Sequence, residues 1–189
     1  PYQPEELFDL NIAFIDNLDS FSHNIIHALQ TLGCNVETFD GRGEIVDFNH
    51  DAVVIGPGPG RPEISPLSMH AASLDTPVLG ICLGHQAIGL TRGMELIESP
   101  LGPVHGVPST IVADGNGLLS KGKHVMTRYN SLVLRGDGDI SVTANDDTGT
   151  LPMEIRDGNT YGLQFHPESI GSSGGMEVLS EFLRRVAHC

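Results

Sequence analysis

Residues 77–90 read PVLGICLGHQAIGL, and this stretch determines which fold the chain can adopt. A short apolar run ends at Cys82, and a segment able to form a helix follows it. A buried strand that passes directly into a helix is typical of parallel α/β sheets. Such a turn crowds its central residue, and Gly80 and Gly84 remove the side chains that would clash. The stretch therefore predicts a nucleophile elbow with the Cys82 thiol at its tip.

The rest of the sequence supports a parallel α/β sheet. Apolar runs at 10–16, 35–40 and 51–56 predict three strands before the elbow, and apolar residues at helical spacing predict helices over 20–33 and 174–189. A weaker helical pattern covers 66–74. The second half contains short strand-like runs at 109–114, 124–129, 139–146, 151–158 and 160–165. These runs predict antiparallel hairpins at one edge or the completion of the main sheet.

Composition excludes several classes of protein. The 189 residues suit one domain, predicted at 10–189, with 1–9 as an N-terminal extension or linker. The net charge of −14 argues against nucleic-acid binding, and no apolar run is long enough for a membrane span. An initial Pro suggests a chain trimmed or cut from a longer one. Three cysteines without metal-like spacing predict free thiols, no metal site and a reducing, cytoplasmic location.

A second unusual segment, YGLQFHPES at 161–169, ends a predicted strand at His166. Glu168 follows two residues later, and residues i and i+2 of an extended chain face the same side. Glu168 is therefore placed to orient the His166 ring, and His166 to take a proton from Cys82. Considered without the elbow, the segment is more typical of a solvated His-Pro-Glu turn than of a catalytic site. Beside the predicted elbow, it indicates a Cys–His–Glu triad.

The third segment, VVIGPGPGRPE at 53–63, is rich in glycine but lacks the pattern of a phosphate-binding loop. Pro57 and Pro59 also remove N–H groups that a phosphate would need. Alternating glycines favour close approach to a small substrate, although a tight surface turn is the plain alternative. We expect the N–H of Gly60 and the N–H of Leu83 to form an oxyanion hole.

Several motifs together resemble a known family. GICLGHQ followed by GLQFHPES is similar to the class I, triad-type glutamine amidotransferases. IDNLDSF, GPGPGRP and RYNSL narrow the resemblance to the glutaminase component of anthranilate synthase and of its sister, aminodeoxychorismate synthase. The resemblance covers nearly the whole chain from about Leu10 onward.

The resemblance implies a three-layer α/β fold, with a mostly parallel central sheet, flanking helices and extra antiparallel strands. It implies that Cys82 attacks the side-chain amide of L-glutamine and that His166 and Glu168 assist. It also implies a chorismate-using synthase as the partner, either a separate subunit or a fused domain, with no cofactor in this chain and Mg²⁺ in the synthase. The residues expected to hold glutamine are Gly58, Pro59, Gly60, Leu83, Gln86, Ser131 and Leu132.

Two positions depart from the family pattern. Asn130 stands where the family usually has His, and Val107 follows His105-Gly106 where the family often has Lys. Neither position touches the predicted triad, but both leave the identity of the synthase open. The alternatives are a glutaminase serving another acceptor, such as a secondary-metabolite, GMP synthase or carbamoyl phosphate synthase type, a silent regulatory subunit, and a thiol esterase or peptidase.

Overall fold

Strands and helices alternate in the first half of the chain, and strands predominate in the second half. The computed structural model describes residues 6–189. Its strands are β1 (Asn11–Asp16), β2 (Asn35–Asp40), β3 (Ala52–Ile55), β4 (Val78–Ile81), β5 (Glu95–Glu98), β6 (Val104–Ala113), β7 (Gly122–Asn130), β8 (Leu132–Arg135), β9 (Ser141–Asp146), β10 (Pro152–Asp157) and β11 (Thr160–Leu163). Its helices are α1 (Ser22–Thr31), α2 (Pro66–Ala71), α3 (Leu83–Thr91) and α4 (Gly175–Ala187).

The central sheet is parallel in one half and antiparallel in the other. Its nine strands follow the order β2-β1-β3-β4-β11-β10-β9-β6-β7. Pairing is parallel from β2 to β11 and antiparallel from β11 to β7. The strands of the second half therefore complete the main sheet, and the predicted α/β fold with extra antiparallel strands is confirmed.

Helices cover both faces of the parallel part of this sheet. Parallel strands are apolar on both faces, so each face has to be buried. Along β1, Ile12 and Phe14 point into the core shared with α1 and α4, whereas Ala13 and Ile15 point into the core shared with α2 and α3. All four side chains are fully buried. The alternation explains why β1 reads as a continuous apolar run, and it produces the three predicted layers.

The register of the central strands determines where the site forms. Strand β4 lies between β3 and β11, and Ile81 at its end is opposite Leu163 at the end of β11. Cys82 and His166 therefore both follow the carboxyl ends of neighbouring parallel strands. Sites in open α/β sheets form at this edge.

A small second sheet of β5 and β8 was not predicted. Each strand has four residues, so neither gives a clear periodic signal. Leu96 and Leu134 are partners in this ladder, and both are buried in the core beneath α3. The Ser99 N–H also donates to the Ser131 carbonyl at 2.8 Å. This small sheet therefore fixes the segment that contains Ser131 and Leu132.

The described part of the predicted extension already contacts the core. Phe8 is buried, and its N–H donates to the Leu32 carbonyl at 2.7 Å. The first five residues of the predicted extension lie outside the described range. In residues 6–189, every helix is too short or too polar to cross a membrane.

We expect Gly84→Ala to destabilise the fold. A Cβ at this position would overlap the Ile55 carbonyl oxygen, a backbone atom that cannot move aside cheaply. Overpacking of this kind typically costs about 1–3 kcal/mol, measurable by urea denaturation. Gly149→Ala is the control for backbone strain without a clash, because its Cβ would meet open space while its φ of +75° costs about 1–2 kcal/mol. Equal losses in both variants would contradict the proposed steric role of Gly84.

Candidate active site

Cys82 has the strained backbone that the elbow predicts. Its φ of 53° and ψ of −99° are unusual for a residue with a side chain. The Cys82 N–H donates to the Leu163 carbonyl at 2.8 Å, and its carbonyl accepts from the Gln86 N–H at 3.1 Å. A Cβ at Gly80 would overlap the Gly84 backbone. The two glycines therefore allow strand and helix to meet at the angle that projects the thiol.

Leu83 is the first residue of α3, directly after Cys82. The first N–H groups of a helix have no intrahelical acceptor and carry partial positive charge. The Leu83 N–H therefore lies next to the sulfur in the position expected of an oxyanion donor.

His166 and Glu168 form a buried pair. The His166 Nδ1 atom lies 2.6 Å from Glu168 Oε1, and the two side chains are 1% and 0% exposed. The His166 N–H donates to the Thr127 carbonyl at 3.0 Å, which ties the segment after β11 to β7. The Glu168 carboxylate therefore lies where it can accept a hydrogen bond from the His166 ring.

The environment of His166 favours its charged form. Burial lowers the pKa of the imidazole, but interactions with the Cys82 and Glu168 side chains outweigh burial and raise this pKa to about 10. No conventional hydrogen bond joins Nε2 to any partner within residues 6–189. The Cys82 sulfur is thus near enough to influence the ring electrostatically without a well-aligned bond in the free protein.

Two aromatic rings that the sequence interpretation did not assign hold the imidazole from the sides. The ring centroid of Tyr129 lies 5.0 Å from that of His166, and the centroid of Phe21 lies 5.7 Å away, both edge-on. Phe21 and Tyr129 also contact each other, with centroids 4.9 Å apart. Phe21 belongs to IDNLDSF and Tyr129 to RYNSL, so these motifs help to orient the predicted base.

The loop at 56–60 is buried at its start and exposed at its tip. Asn17 donates from Nδ2 to the Gly56 carbonyl at 3.0 Å, and a Cβ at Gly58 would lie 2.5 Å from the Asn17 Cβ. Pro59 and Gly60 are exposed, and Gly60 has a φ of +82°. The structure therefore places Gly58 against a buried neighbour and leaves the Gly60 N–H on an accessible turn.

The predicted glutamine-holding residues of α3 and of the 130–132 segment are linked by hydrogen bonds. Gln86 donates from Nε2 to the Leu132 carbonyl at 3.2 Å. Asn130 donates from Nδ2 to the same carbonyl at 2.9 Å. Ser131 lies between these contacts and is exposed. The structure thus brings Gln86, Ser131 and Leu132 together beside the elbow.

Gln164 is a site residue that the sequence interpretation missed. Its side chain is fully buried, and its Nε2 lies 3.8 Å from the Cys82 sulfur. The signal was present in the sequence, because Gln164, His166 and Glu168 are spaced by two residues. The alternation that assigned Glu168 to the side of His166 also assigns Gln164 to it.

We expect Glu168→Gln to lower the pKa of His166 from its value of about 10, because the variant loses the carboxylate charge while burial still acts. A raised folded-state pKa contributes stability that is complete below ~6.5, the unfolded value, and is lost as pH rises through 10. The variant should therefore lose less unfolding free energy than the wild type over this interval. Imidazole NMR titration and urea denaturation measure the two effects. The resonance of exposed His188 is the internal reference, and an unchanged His166 titration would contradict the assigned role of Glu168.

Comparison with known proteins agrees with this geometry. The family model for class I glutamine amidotransferases matches residues 13–186. Anthranilate synthase component 2 of Cyanophora paradoxa is 35% identical over 91% of this chain and 97% of that protein. Aminodeoxychorismate synthase of Streptomyces pristinaespiralis is 36% identical over 92% of this chain, which spans only 27% of that protein. The solved structure of a putative GMP synthase protein from Thermoplasma acidophilum covers 95% of both chains with a TM-score of 0.83 and 18% identity, which shows the fold alone. The chain therefore belongs, as its motifs predict, to the class I glutamine amidotransferases.

Proposed function

We propose that this chain hydrolyses L-glutamine with Cys82, His166 and Glu168 and delivers the ammonia to a chorismate-using synthase. The observation that carries the proposal is the buried His166–Glu168 pair, which follows the strand next to the one that ends at the strained Cys82. Relatives named anthranilate synthase component 2 and aminodeoxychorismate synthase support the choice of synthase. Both products remain candidates.

In the first half-reaction, the Cys82 sulfur attacks the side-chain amide carbon of glutamine. His166 is proposed to take the thiol proton before the attack, and the interactions that raise the pKa of its imidazole to about 10 favour the protonated ring. The C–S bond forms, the carbonyl oxygen takes up negative charge, and the N–H of Leu83 is placed to stabilise it. His166 then gives its proton to the departing nitrogen as the C–N bond breaks, and ammonia leaves.

In the second half-reaction, water hydrolyses the γ-glutamyl thioester. His166, now neutral, takes a proton from the water as its oxygen bonds to the acyl carbon, and the sulfur leaves as the thiolate. Glu168 keeps the ring oriented through both steps, because its carboxylate accepts from Nδ1. Gly58 to Gly60, Gln86 and the Ser131–Leu132 backbone hold the substrate in this proposal.

The proposed partner is a chorismate-using synthase, either as a separate subunit or as a fused domain. Residues 13–186 match the glutaminase family, so chorismate chemistry is assigned to the synthase. We assign no cofactor to this chain and place any Mg²⁺ in the synthase. A free thiol nucleophile fits a reducing compartment, so we propose a cytoplasmic location.

Labelling tests the nucleophile. A glutamine-like diazo-ketone should modify Cys82, and excess glutamine should protect it. Burial and the nearby Asp51 carboxylate raise the pKa of the Cys34 thiol to about 12, so Cys34 should stay unlabelled. Exposed Cys189 is read in the same peptide map, where glutamine should give it no protection. Glutamine-protected labelling of Cys34 or Cys189 with Cys82 free would overturn the assignment.

The Cys82→Ser variant extends this test to turnover. Glutamine-dependent synthesis by the complex should be abolished, because the serine hydroxyl is a far weaker nucleophile than a thiolate, and ammonia-dependent synthesis should be retained. Cys189→Ser is the matched control and should keep both activities. Retained glutamine hydrolysis by Cys82→Ser would show a different mechanism, and turnover of simple esters without glutamine would favour an esterase.

The synthase should also control the glutaminase. Ammonia released into water is protonated and diluted, so uncoupled hydrolysis wastes glutamine. The loop at 56–60 is a suitable control point, since Asn17 fixes one end and the Gly60 turn is exposed. Docking of the synthase is proposed to orient the Gly60 N–H as the second oxyanion donor.

We expect glutamine hydrolysis to be low for the chain alone, higher with synthase and highest with synthase plus chorismate. Loss of one oxyanion donor typically costs about 10²–10³-fold in rate, so the difference should be large. Steady-state glutamate release measures all three conditions, and a mock partner such as serum albumin is the control. Full activity of the isolated chain, unchanged by either addition, would refute this control while leaving the triad assignment standing.

A further inference from the structure

A continuous line of buried polar groups leads from Arg128 to the nucleophile. Arg128 donates from Nε to Asn130 Oδ1 at 3.2 Å, and Asn130 donates from Nδ2 to the Leu132 carbonyl at 2.9 Å. Gln86 Nε2 lies 3.2 Å from the same carbonyl and 3.3 Å from Gln164 Oε1. Gln164 Nε2 lies 3.8 Å from the Cys82 sulfur. All four polar side chains are at most 5% exposed.

The two ends of this line fix which way each amide faces. A guanidinium can only donate hydrogen bonds, so Asn130 must present its oxygen to Arg128 and its NH₂ to the Leu132 carbonyl. A carbonyl can only accept, so Gln86 must also present its NH₂ to Leu132. The orientation of each amide is therefore determined by the hydrogen-bonding capacity of its neighbours.

The same logic determines the group that meets the sulfur. The NH₂ of Gln86 requires an acceptor at Gln164, so the oxygen of Gln164 faces Gln86 and its NH₂ faces Cys82. A donor aimed at sulfur stabilises the thiolate more than the thiol. We propose that Gln164 is a further catalytic residue that holds the Cys82 thiolate, and that Arg128 and Asn130 are positioning residues that fix its orientation through Leu132 and Gln86.

The Asn130 side chain has to accept one hydrogen bond and donate another, and its amide does both. It accepts from Arg128 and donates to Leu132, so removal of its amide leaves a buried guanidinium and a carbonyl each without one partner. A neutral histidine also offers one acceptor and one donor nitrogen. The family's usual histidine and the Asn130 of this chain therefore offer the same capacity, one acceptor and one donor.

The role of Gln164 is tested by the reactivity of Cys82 toward iodoacetamide, measured from about pH 5 to 10 so that the range of an ordinary thiol is included, with mass-spectrometric mapping of each cysteine. The ionisable groups that face Cys82 are His166 and, behind it, Glu168, and both remain in the variant. In Gln164→Met the rise in Cys82 alkylation should move to higher pH, which makes alkylation about tenfold slower on the acid side. Cys189 of the same molecule is the internal control and should not change. An unshifted profile for Cys82 in the folded variant would overturn the role of Gln164.

The upstream residues are tested by a matched pair at Asn130. In Asn130→Leu the Cys82 profile should shift in the same direction by a smaller amount, and Asn130→His should restore it because the connections are kept. Melting temperatures identify any loss that is merely structural. If the Cys82 profile of both Asn130 variants matched that of the wild type, the link from Arg128 to the sulfur would be overturned. This pair of variants gives an answer even where Gln164→Met fails to fold.

The substrate side of the inference rests on the proposed function, since Leu132 is taken to hold glutamine. Asn130→Leu should raise the KM for glutamine severalfold with a smaller change in kcat, and Asn130→His should not. Alkylation requires no substrate, so the two hypotheses fail separately. A shifted alkylation profile in a chain that does not consume glutamine would refute the proposed function alone, whereas normal alkylation in variants of an active glutaminase would refute the role of Gln164 alone.

Discussion

The strained backbone of Cys82 is the constraint on which the rest of the structure depends. A conformation with φ of 53° and ψ of −99° costs about 1–3 kcal/mol and persists only where the surroundings determine it on both sides. Here β4 is hydrogen bonded to β3 and β11, and α3 packs on the same strands. The fully buried run before Cys82 and the two flanking glycines are therefore consequences of the need to project one sulfur atom.

The two halves of the sheet contribute different parts of the site. The parallel half supplies the elbow and, through β11, the segment with His166. The antiparallel half supplies β7, whose Thr127 backbone holds His166 and whose Tyr129 ring contacts the imidazole. Strand β6 pairs with β9, and β7 pairs with β6 at the edge of the sheet. This long antiparallel extension delivers a few side chains and the 130–132 segment to the edge where the parallel strands end.

The sequence was sufficient for the elements that carry a strong local signal. The elbow, the strands around it and the His166–Glu168 spacing follow from apolar runs, glycine positions and alternation. Strands β5 and β8 were not predictable, because four residues give no reliable period and their pairing depends on contacts between distant parts of the sequence, as between Glu95 and Arg135. Alternation along the chain predicts that Gln164 faces the same side as His166. Its role was not predictable, because the hydrogen bonds that orient it come from Gln86 in α3 and, through Gln86, from Leu132 in β8.

Asn130 shows why a departure from a motif has to be judged by its contacts. Considered as a residue type, asparagine in place of the family's usual histidine suggests a changed site. Its hydrogen bonds give a different result, because Asn130 accepts one from Arg128 and donates one to the Leu132 carbonyl. Unlike histidine, the amide cannot gain a proton, so the orientation of the line toward Cys82 does not depend on pH at this position. Burial lowers the pKa of Arg128 while Asp146 and Asp147 oppose that effect, and the guanidinium remains a donor throughout. The geometry of the nucleophile is thus preserved by connectivity, which the substitution leaves intact.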